Sequence, residues 1–400
     1  MIKKEAAIVV GMLATIAVIF MITRNINNVE IEVEERLADE LYFDEDFINS
    51  IDGSDGDISA IKDGIYKNNK NTSYFPLSIM WELTNRCNFR CPFCYINTEK
   101  AIRKPYHSFE KIKSIIDELV DMGMLFCTIS GGECLLHPDF KKIYLYLKKC
   151  GVLVSVFTNA YLINEEVLDL FSEFKPYKVE VSIYGMDEDT FFNTTGQHGF
   201  EIVLDNVLKL KKRDINVRCK SPITSFTSSS IVSIKNWCID NNIQFYCSDE
   251  LFDSYYGESS AKYKVDDDIY KEAVKNRVNS IIKNSNHIYG RKKAWDCTAG
   301  KYSGVLAADG FFYPCMSCVG REKYKISIDE GIKKAIDIRR KIIDKEKNKI
   351  LDFCSGCNMC NVCDKCIVSM DVDGIEKIET NCQFMKSISK SRIVQDKDVK

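Results

Sequence analysis

The 400-residue sequence is poor in proline, with 7, and modest in glycine, with 20. That scarcity, beside a hydrophobic share of 45%, excludes a collagen-like or wholly disordered chain and describes one able to bury a core. Positive charge is not in excess: 55 Lys and Arg face 58 Asp and Glu, for a net charge of −3. A nucleic-acid reader with a basic face is therefore not expected. Histidine is nearly missing. His107, His137, His198 and His287 are scattered, and none stands at a metal-ligand spacing. Charge is absent altogether between Ala6 and Thr23, an apolar run flanked by Lys3, Lys4 and Arg24.

Cysteine is abundant instead, at 18 residues. A disulfide scaffold would be a small chain with scattered cysteines, whereas here many sit in short-spaced clusters of an enzyme-sized chain, which points to metal and a reducing compartment. The apolar run at residues 6–23 would be about 27 Å long as a helix, enough to cross a bilayer. No small-residue cleavage site follows it, so a membrane anchor within residues 1–25 is expected over a signal peptide, with an apolar helix docked on its own protein as the alternative. Lys3 and Lys4 favour a cytoplasmic N-terminus, which would export the rest. Thiolate–metal chemistry needs a reducing compartment, so the body is placed on the cytoplasmic face. Residues 26–73 combine an acidic stretch, Glu30 to Asp46, with a polar linker, Asp52 to Thr72.

From residue 74 to 250 apolar runs alternate with helical patterns. Strands are expected at Pro76–Leu83, Leu125–Ser130, Val152–Thr158, Lys178–Ile183, Ile215–Lys220 and Ile243–Cys247. Helices are expected at Phe109–Met122, Pro138–Lys149, Glu165–Phe171, Phe200–Lys212 and Ile231–Asn241. Strands rich in Val and Ile between helices read as buried parallel strands, and six such units suggest an α/β fold built as a partial (β/α)6 TIM-like barrel, with chemistry on the loops after the strands. Residues 251–296 read as a connecting helical segment, 297–385 as a small Cys-rich C-terminal cluster-binding domain and 386–400 as a polar tail.

The loop after the first strand carries Cys87-x3-Cys91-x2-Cys94. One loop of that spacing can ligate three irons of a [4Fe-4S] cube and leave the fourth open to a small molecule. A closed zinc site would want a fourth ligand nearby in sequence, and disulfide pairing would leave one thiol over. The loop after the second strand reads Ser130-Gly131-Gly132-Glu133. Its glycines let backbone approach a ligand closely, and Glu133 offers an acceptor to an ammonium group.

These two motifs resemble the radical S-adenosylmethionine (radical SAM) superfamily, over roughly Leu77 to Ser248. The resemblance implies a partial (β/α)6 barrel and S-adenosylmethionine chelated through its amino and carboxylate groups at the open iron. It further implies one-electron cleavage of the sulfonium to methionine and a 5′-deoxyadenosyl radical. By the same resemblance the backbone of Phe93 meets adenine, Gly131, Gly132 and Glu133 hold the methionine amino group, and Asn159 and Ser182 lie near the ribose and carboxylate. The arginine often found downstream of the family's Ser-x-x-Gly stretch is replaced by Phe191-Phe192-Asn193-Thr194-Thr195-Gly196.

A second thiol set follows: Cys297, then Gly310-x4-Cys315, Cys318, and Cys354-x2-Cys357-x2-Cys360-x2-Cys363-x2-Cys366, with Cys382 last. A charged helix-like stretch, Asp329–Lys347, separates its halves. Zinc knuckles are the alternative reading of CxxC pairs. The arrangement resembles the SPASM extension of peptide- and protein-modifying radical enzymes, although Cys366 comes one residue early and Cys360 is extra. The resemblance implies one or two auxiliary [4Fe-4S] clusters, an outer one on Cys354, Cys357, Cys363 and Cys382, and an inner one on Cys297, Cys315 and Cys366 with Cys318 as fourth ligand.

Among the other cysteines, Cys127, Cys150, Cys219 and Cys238 read as small buried groups, while Cys134 and Cys247 are candidates for the barrel mouth. Asp249, Glu250 and Asp253 receive no catalytic role. The expected function is hydrogen abstraction from a peptide or protein, with an electron donor such as flavodoxin or ferredoxin. No recognisable leader-binding domain precedes Tyr74. The competing readings are a radical enzyme acting on a small molecule and a non-enzymatic iron–sulfur or zinc electron-transfer module.

Overall fold

The computed structural model describes residues 76–100, 107–248, 251–275 and 302–354. Six parallel strands alternate with helices: β1 (Ser78–Glu82), α1 (Phe109–Asp121), β2 (Phe126–Ser130), α2 (Phe140–Lys149), β3 (Leu153–Thr158), α3 (Glu165–Glu173) and β4 (Lys178–Ser182). Helices α4 (Glu188–Thr195) and α5 (Phe200–Lys212) lead to β5 (Val217–Pro222), and α6 (Ile231–Asp240) leads to β6 (Gln244–Ser248). After α7 (Asp267–Lys275) come β7 (Ser303–Leu306), β8 (Phe312–Tyr313) and α8 (Ile332–Cys354). The sheet order β6-β5-β4-β3-β2-β1-β7-β8 leaves β6 and β1 unpaired with each other, so the barrel is partial, as expected.

Local chemistry explains the elements. In α1 the Ser108 side chain caps the N-terminus by accepting from the Lys111 amide at 3.3 Å, and Ile112, Ile115, Ile116 and Leu119 form one buried stripe. Both faces of the sheet are covered, and Ile79, Ile129, Val154, Val156, Val179, Val181 and Phe245 are fully buried. Each such side chain contributes about 1.5–3 kcal/mol through burial. Strand β5 begins two residues later than the apolar run suggested, because Asp214 takes φ +56 and the Ile215 amide still bonds back to Leu210 of α5. Helix α4, not anticipated, starts on the side-chain cap of Asp187 and stops at Gly196 with φ +66. Only Phe191, Thr194 and Thr195 are buried along it, too short a stripe to show as a periodicity.

Two expectations about organisation change. Among the described residues of the segment after β6, α7 is the α-helix, and residues 251–263 form a loop ending in a 3-10 turn, Ser260–Tyr263. The C-terminal thiol region does not start as a separate layer, since β7 pairs in parallel with β1 from Ser78↔Ser303 to Trp81↔Leu306, and β8 turns back antiparallel on β7. Gly304 makes room for the Phe312 ring, which would lie 2.3 Å from a Cβ there. Arg339 of α8, fully buried, donates to the Ser303 carbonyl at 3.0 Å and stacks over Phe312. Among the described residues no helix is long and apolar enough to cross a membrane. The apolar run 6–23, the acidic stretch and the linker lie outside the described residues.

Candidate functional site

The loop leaving β1 is zipped to the loop leaving β2. The Leu83 amide donates to Ser130 O at 3.0 Å, the Gly132 amide to Thr84 O at 2.8 Å and the Glu133 amide to Arg86 O at 2.8 Å. The paired glycines admit this close contact. A Cβ on Gly131 would stand 2.5 Å from Thr84 O, and one on Gly132 would stand 2.3 Å from Arg86 O. Glu133, expected as an acceptor, is held by the protein's own donors. It is 1% exposed, and its carboxylate takes hydrogen bonds from the Leu135 amide (3.1 Å), the Thr158 hydroxyl (2.8 Å) and the Asn159 amide (2.8 Å), tying the ends of β2 and β3 together. Burial raises its pKa, and these donors pull it back.

The three cysteines are half-buried on this platform. Donors point at their sulfurs: the Phe89 amide reaches Cys87 Sγ at 3.3 Å, Asn159 Nδ2 approaches it at 3.7 Å, and the Tyr184 hydroxyl bonds Cys91. The thiols sense one another electrostatically. Burial pushes Cys87 up to about 12, helped by Glu133 and Cys94, and pushes Cys91 well above its ordinary value, helped by Cys94 and Cys87. Three desolvated sulfurs ringed by N–H and O–H donors form a site for anionic ligands whose charge a bound cation offsets. Among the described residues no three His, Cys, Asp or Glu side chains converge closely enough to share one metal ion.

Aromatic rings wall the loop. Phe93 faces Tyr184, Phe226 and Tyr263 at centroid distances of 5.7, 6.3 and 6.5 Å, drawn from the loops after β4, β5 and β6. Phe89, 2% exposed, meets Tyr161 at 5.8 Å and Phe191 at 5.5 Å. The Arg90 amide donates to Thr195 O at 2.6 Å, so the segment that replaces the family's arginine braces the cysteine loop. Asn159, 6% exposed, is committed to Asn88 Oδ1 at 2.8 Å as well as to Cys87. Ser182, half-buried at the end of β4, is bonded by Tyr184.

Of the second thiol set, Cys315 and Cys318 lie together, 3.5 Å apart, in the 3-10 turn after β8. Hydrogen bonding from Cys318 lowers Cys315 to about 7. Cys297, Cys357, Cys360, Cys363, Cys366 and Cys382 lie outside the described residues, and Cys354 closes α8. Cys134 and Cys247 are buried at 0% and 1%; Cys127, Cys219 and Cys238 are buried as expected, while Cys150 is half-buried. Asp253 caps its own loop by accepting from Ser260 N at 2.8 Å, while Asp249 and Glu250 lie outside the described residues.

Residue reasoning missed Tyr184, Tyr95, Tyr255 and Glu82. Glu82 was readable as the one carboxylate in the apolar strand Ser-Ile-Met-Trp-Glu, and Tyr184 as the aromatic inside the Ser-x-x-Gly stretch.

Comparison with known proteins agrees with this geometry. The Radical SAM superfamily profile matches residues 81–231. The sporulation killing factor maturation protein SkfB of Bacillus subtilis is 25% identical over 257 residues, 61% of this chain and 61% of that protein. The antilisterial bacteriocin subtilosin biosynthesis protein AlbA, from the same organism, is 27% identical over 246 residues, 60% of this chain and 55% of AlbA. The chain thus spans about three fifths of the length of the curated relatives it matches. Among solved structures, native anSMEcpe with bound AdoMet and the Kp18Cys peptide superposes with a TM-score of 0.60 at 19% identity, covering 81% of this chain and all of that one, a likeness of fold. The cysteine loop and the zipped Gly-Gly-Glu turn both lie inside residues 81–231, the part of the chain that resembles the Radical SAM superfamily.

Proposed function

We propose that this chain is a radical SAM enzyme that modifies a peptide or protein. The observation that carries the reading is the loop Cys87–Cys94: three sulfurs at the rim of the barrel, each within reach of the others' charge, with hydrogen-bond donors turned toward them. Cys87, Cys91 and Cys94 would hold a [4Fe-4S] cluster with one iron left for S-adenosylmethionine. When bound, that pair supplies an electron to the sulfonium and so a carbon radical able to take hydrogen from an unactivated C–H bond.

The protein's own residues bind and shield. The Gly131–Gly132 backbone beside the loop suits the methionine end of the cosubstrate, with Glu133 fixing that backbone from beneath. Phe93 and its aromatic neighbours offer an apolar bed for adenine and exclude water from the reacting bond. Asn159 and Ser182 border the same rim. Cys315 and Cys318, with Cys297 and Cys366, suit an inner auxiliary cluster, and Cys354, Cys357, Cys363 and Cys382 an outer one. A peptide substrate is favoured because SkfB and AlbA are named for peptide maturation and bacteriocin biosynthesis, and because anSMEcpe was solved with a peptide. Such chemistry calls for a reducing cytosol and a flavodoxin- or ferredoxin-like donor. A membrane tether through residues 6–23 remains part of the proposal, on the sequence pattern alone.

The test is anaerobic reconstitution with iron and sulfide, followed by an assay for 5′-deoxyadenosine. Cys91→Ala should abolish its formation; retained cleavage refutes the site. Co-expression with short peptides encoded beside the gene, read by mass spectrometry, tests the substrate class.

A further inference from the structure

Glu82 ends β1 and is 2% exposed. Three groups hold its carboxylate. The Tyr255 hydroxyl donates to Oε1 at 2.5 Å, the Ala308 amide donates to Oε2 at 3.0 Å, and the Tyr95 side chain donates as well. Each donor belongs to a different stretch. Tyr95 follows Cys94 directly, Tyr255 lies in the loop after β6, and Ala308 sits in the turn between β7 and β8 that leads to Cys315 and Cys318.

The same stretches are fastened by further contacts. The Tyr255 amide donates to Tyr95 O at 2.8 Å, and the two rings stand 5.4 Å apart. Asn97 donates to Glu258 at 2.8 Å, and Lys100 pairs with the same carboxylate. On the other side, Gly320 adopts φ +78, and a Cβ there would lie 2.7 Å from Tyr255 Cα. Tyr255 is therefore clamped between the chain that follows Cys94 and the chain that follows Cys318. Strands β6 and β1 do not pair, so this clamp bridges the gap the partial barrel leaves.

We propose that Glu82 is a positioning residue for the reaction: by gathering Tyr95, Tyr255 and Ala308 on one carboxylate, it fixes the Cys87–Cys94 loop at a set distance and orientation from the Cys315–Cys318 turn. The proposal rests on the radical reading above, with a cluster at each thiol set. Only a carboxylate suits the position fully. It presents lone pairs to all three donors, whereas an alanine presents none. A glutamine offers one oxygen to the Ala308 amide and turns its NH2 toward Tyr255, whose hydroxyl can accept; most of the clamp survives.

The test has two arms. In the metal-free full-length chain, hydrogen–deuterium exchange read by mass spectrometry should quicken at least tenfold around Tyr255 and Ala308 in Glu82→Ala and in Tyr255→Phe, with β3 and β4 unchanged. Tyr255→Phe keeps the ring and its packing, so it reports even if Glu82→Ala fails to fold. In anaerobically iron-loaded, dithionite-reduced protein, electron paramagnetic resonance power saturation reads the magnetic influence of one cluster on the other. That influence should weaken several-fold in Glu82→Ala and Tyr255→Phe and recover in Glu82→Gln. Unchanged exchange overturns the clamp, and faster exchange with unchanged power saturation overturns the positioning role. Wild-type protein with a single non-interacting cluster refutes the two-cluster reading beneath the proposal, an outcome distinct from either.

Discussion

Replacing Gly132 with alanine is the sharpest challenge to the zipped platform under the cysteine loop. The new Cβ would lie 2.3 Å from the Arg86 carbonyl oxygen and 2.7 Å from its carbon. Backbone cannot swing aside as a side-chain tip can, so the two loops must part by about 1 Å to restore ordinary van der Waals contact. That parting stretches two hydrogen bonds, Gly132 N to Thr84 O and Glu133 N to Arg86 O, both 2.8 Å. At about 0.5–1.5 kcal/mol for each bond and about 1–3 kcal/mol for overpacking, the expected loss is about 2–5 kcal/mol. Gly257→Ala is the control. That glycine has φ +78 but nothing within 4 Å of the added carbon, so backbone strain alone should cost about 1–2 kcal/mol. Urea denaturation of both variants gives the two numbers, and iron content after anaerobic reconstitution gives the consequence for the site. A Gly132→Ala protein that is no less stable than Gly257→Ala and binds as much iron as the wild type would refute the packing argument.

Other outcomes follow from the same geometry. Asn159→Leu removes the amide near the Cys87 sulfur, and the reduction potential of the reconstituted cluster should move to more negative values in a dye-mediated titration, since hydrogen bonds to sulfur favour the reduced state. Ile129→Ala, at a fully buried position of β2, should cost about 2–5 kcal/mol in urea denaturation, a control for core packing away from the thiols. Glu82 has its pKa raised by burial from 4.5 to about 7, so its proton stabilises the fold below pH 4.5 and that support is lost as the pH rises to 7. The full loss is about 3 kcal/mol. Plotted against pH, wild-type stability should therefore fall relative to Glu82→Gln across that window, and parallel curves would contradict the buried-carboxyl assignment.

The barrel was legible because its signal is repetitive. Val and Ile runs such as Val152–Thr158 alternate with stripes such as Ile112, Ile115, Ile116 and Leu119, and parallel strands buried on both faces have few other ways to read. Cysteine spacing pointed to the candidate site for a related reason, since three thiols in one loop need no knowledge of distant contacts. What escaped depends on long-range approach. The missing side chains of Gly131 and Gly132 admit Thr84 and Arg86 of another loop, a contact that the local sequence does not announce. Glu133 takes donors from Thr158 and Asn159 at the end of β3, partners far off in sequence. Helix α4 hid because eight residues with three buried positions carry too little periodicity. The pairing of β7 with β1 hid because Ser303–Leu306 is four residues long and lies more than two hundred residues from its partner.

That pairing bears on how the protein can be divided. Cutting the chain before Ser303 would leave the outer side of β1 with its amide and carbonyl groups bare from Ser78 to Trp81, a template for sticking to other molecules. It would also take away Ala308, and with it one of the tethers on Glu82. A shortened protein meant to isolate the barrel should therefore clump or lose shape, and a minimal version that stays in solution has to carry the hairpin along.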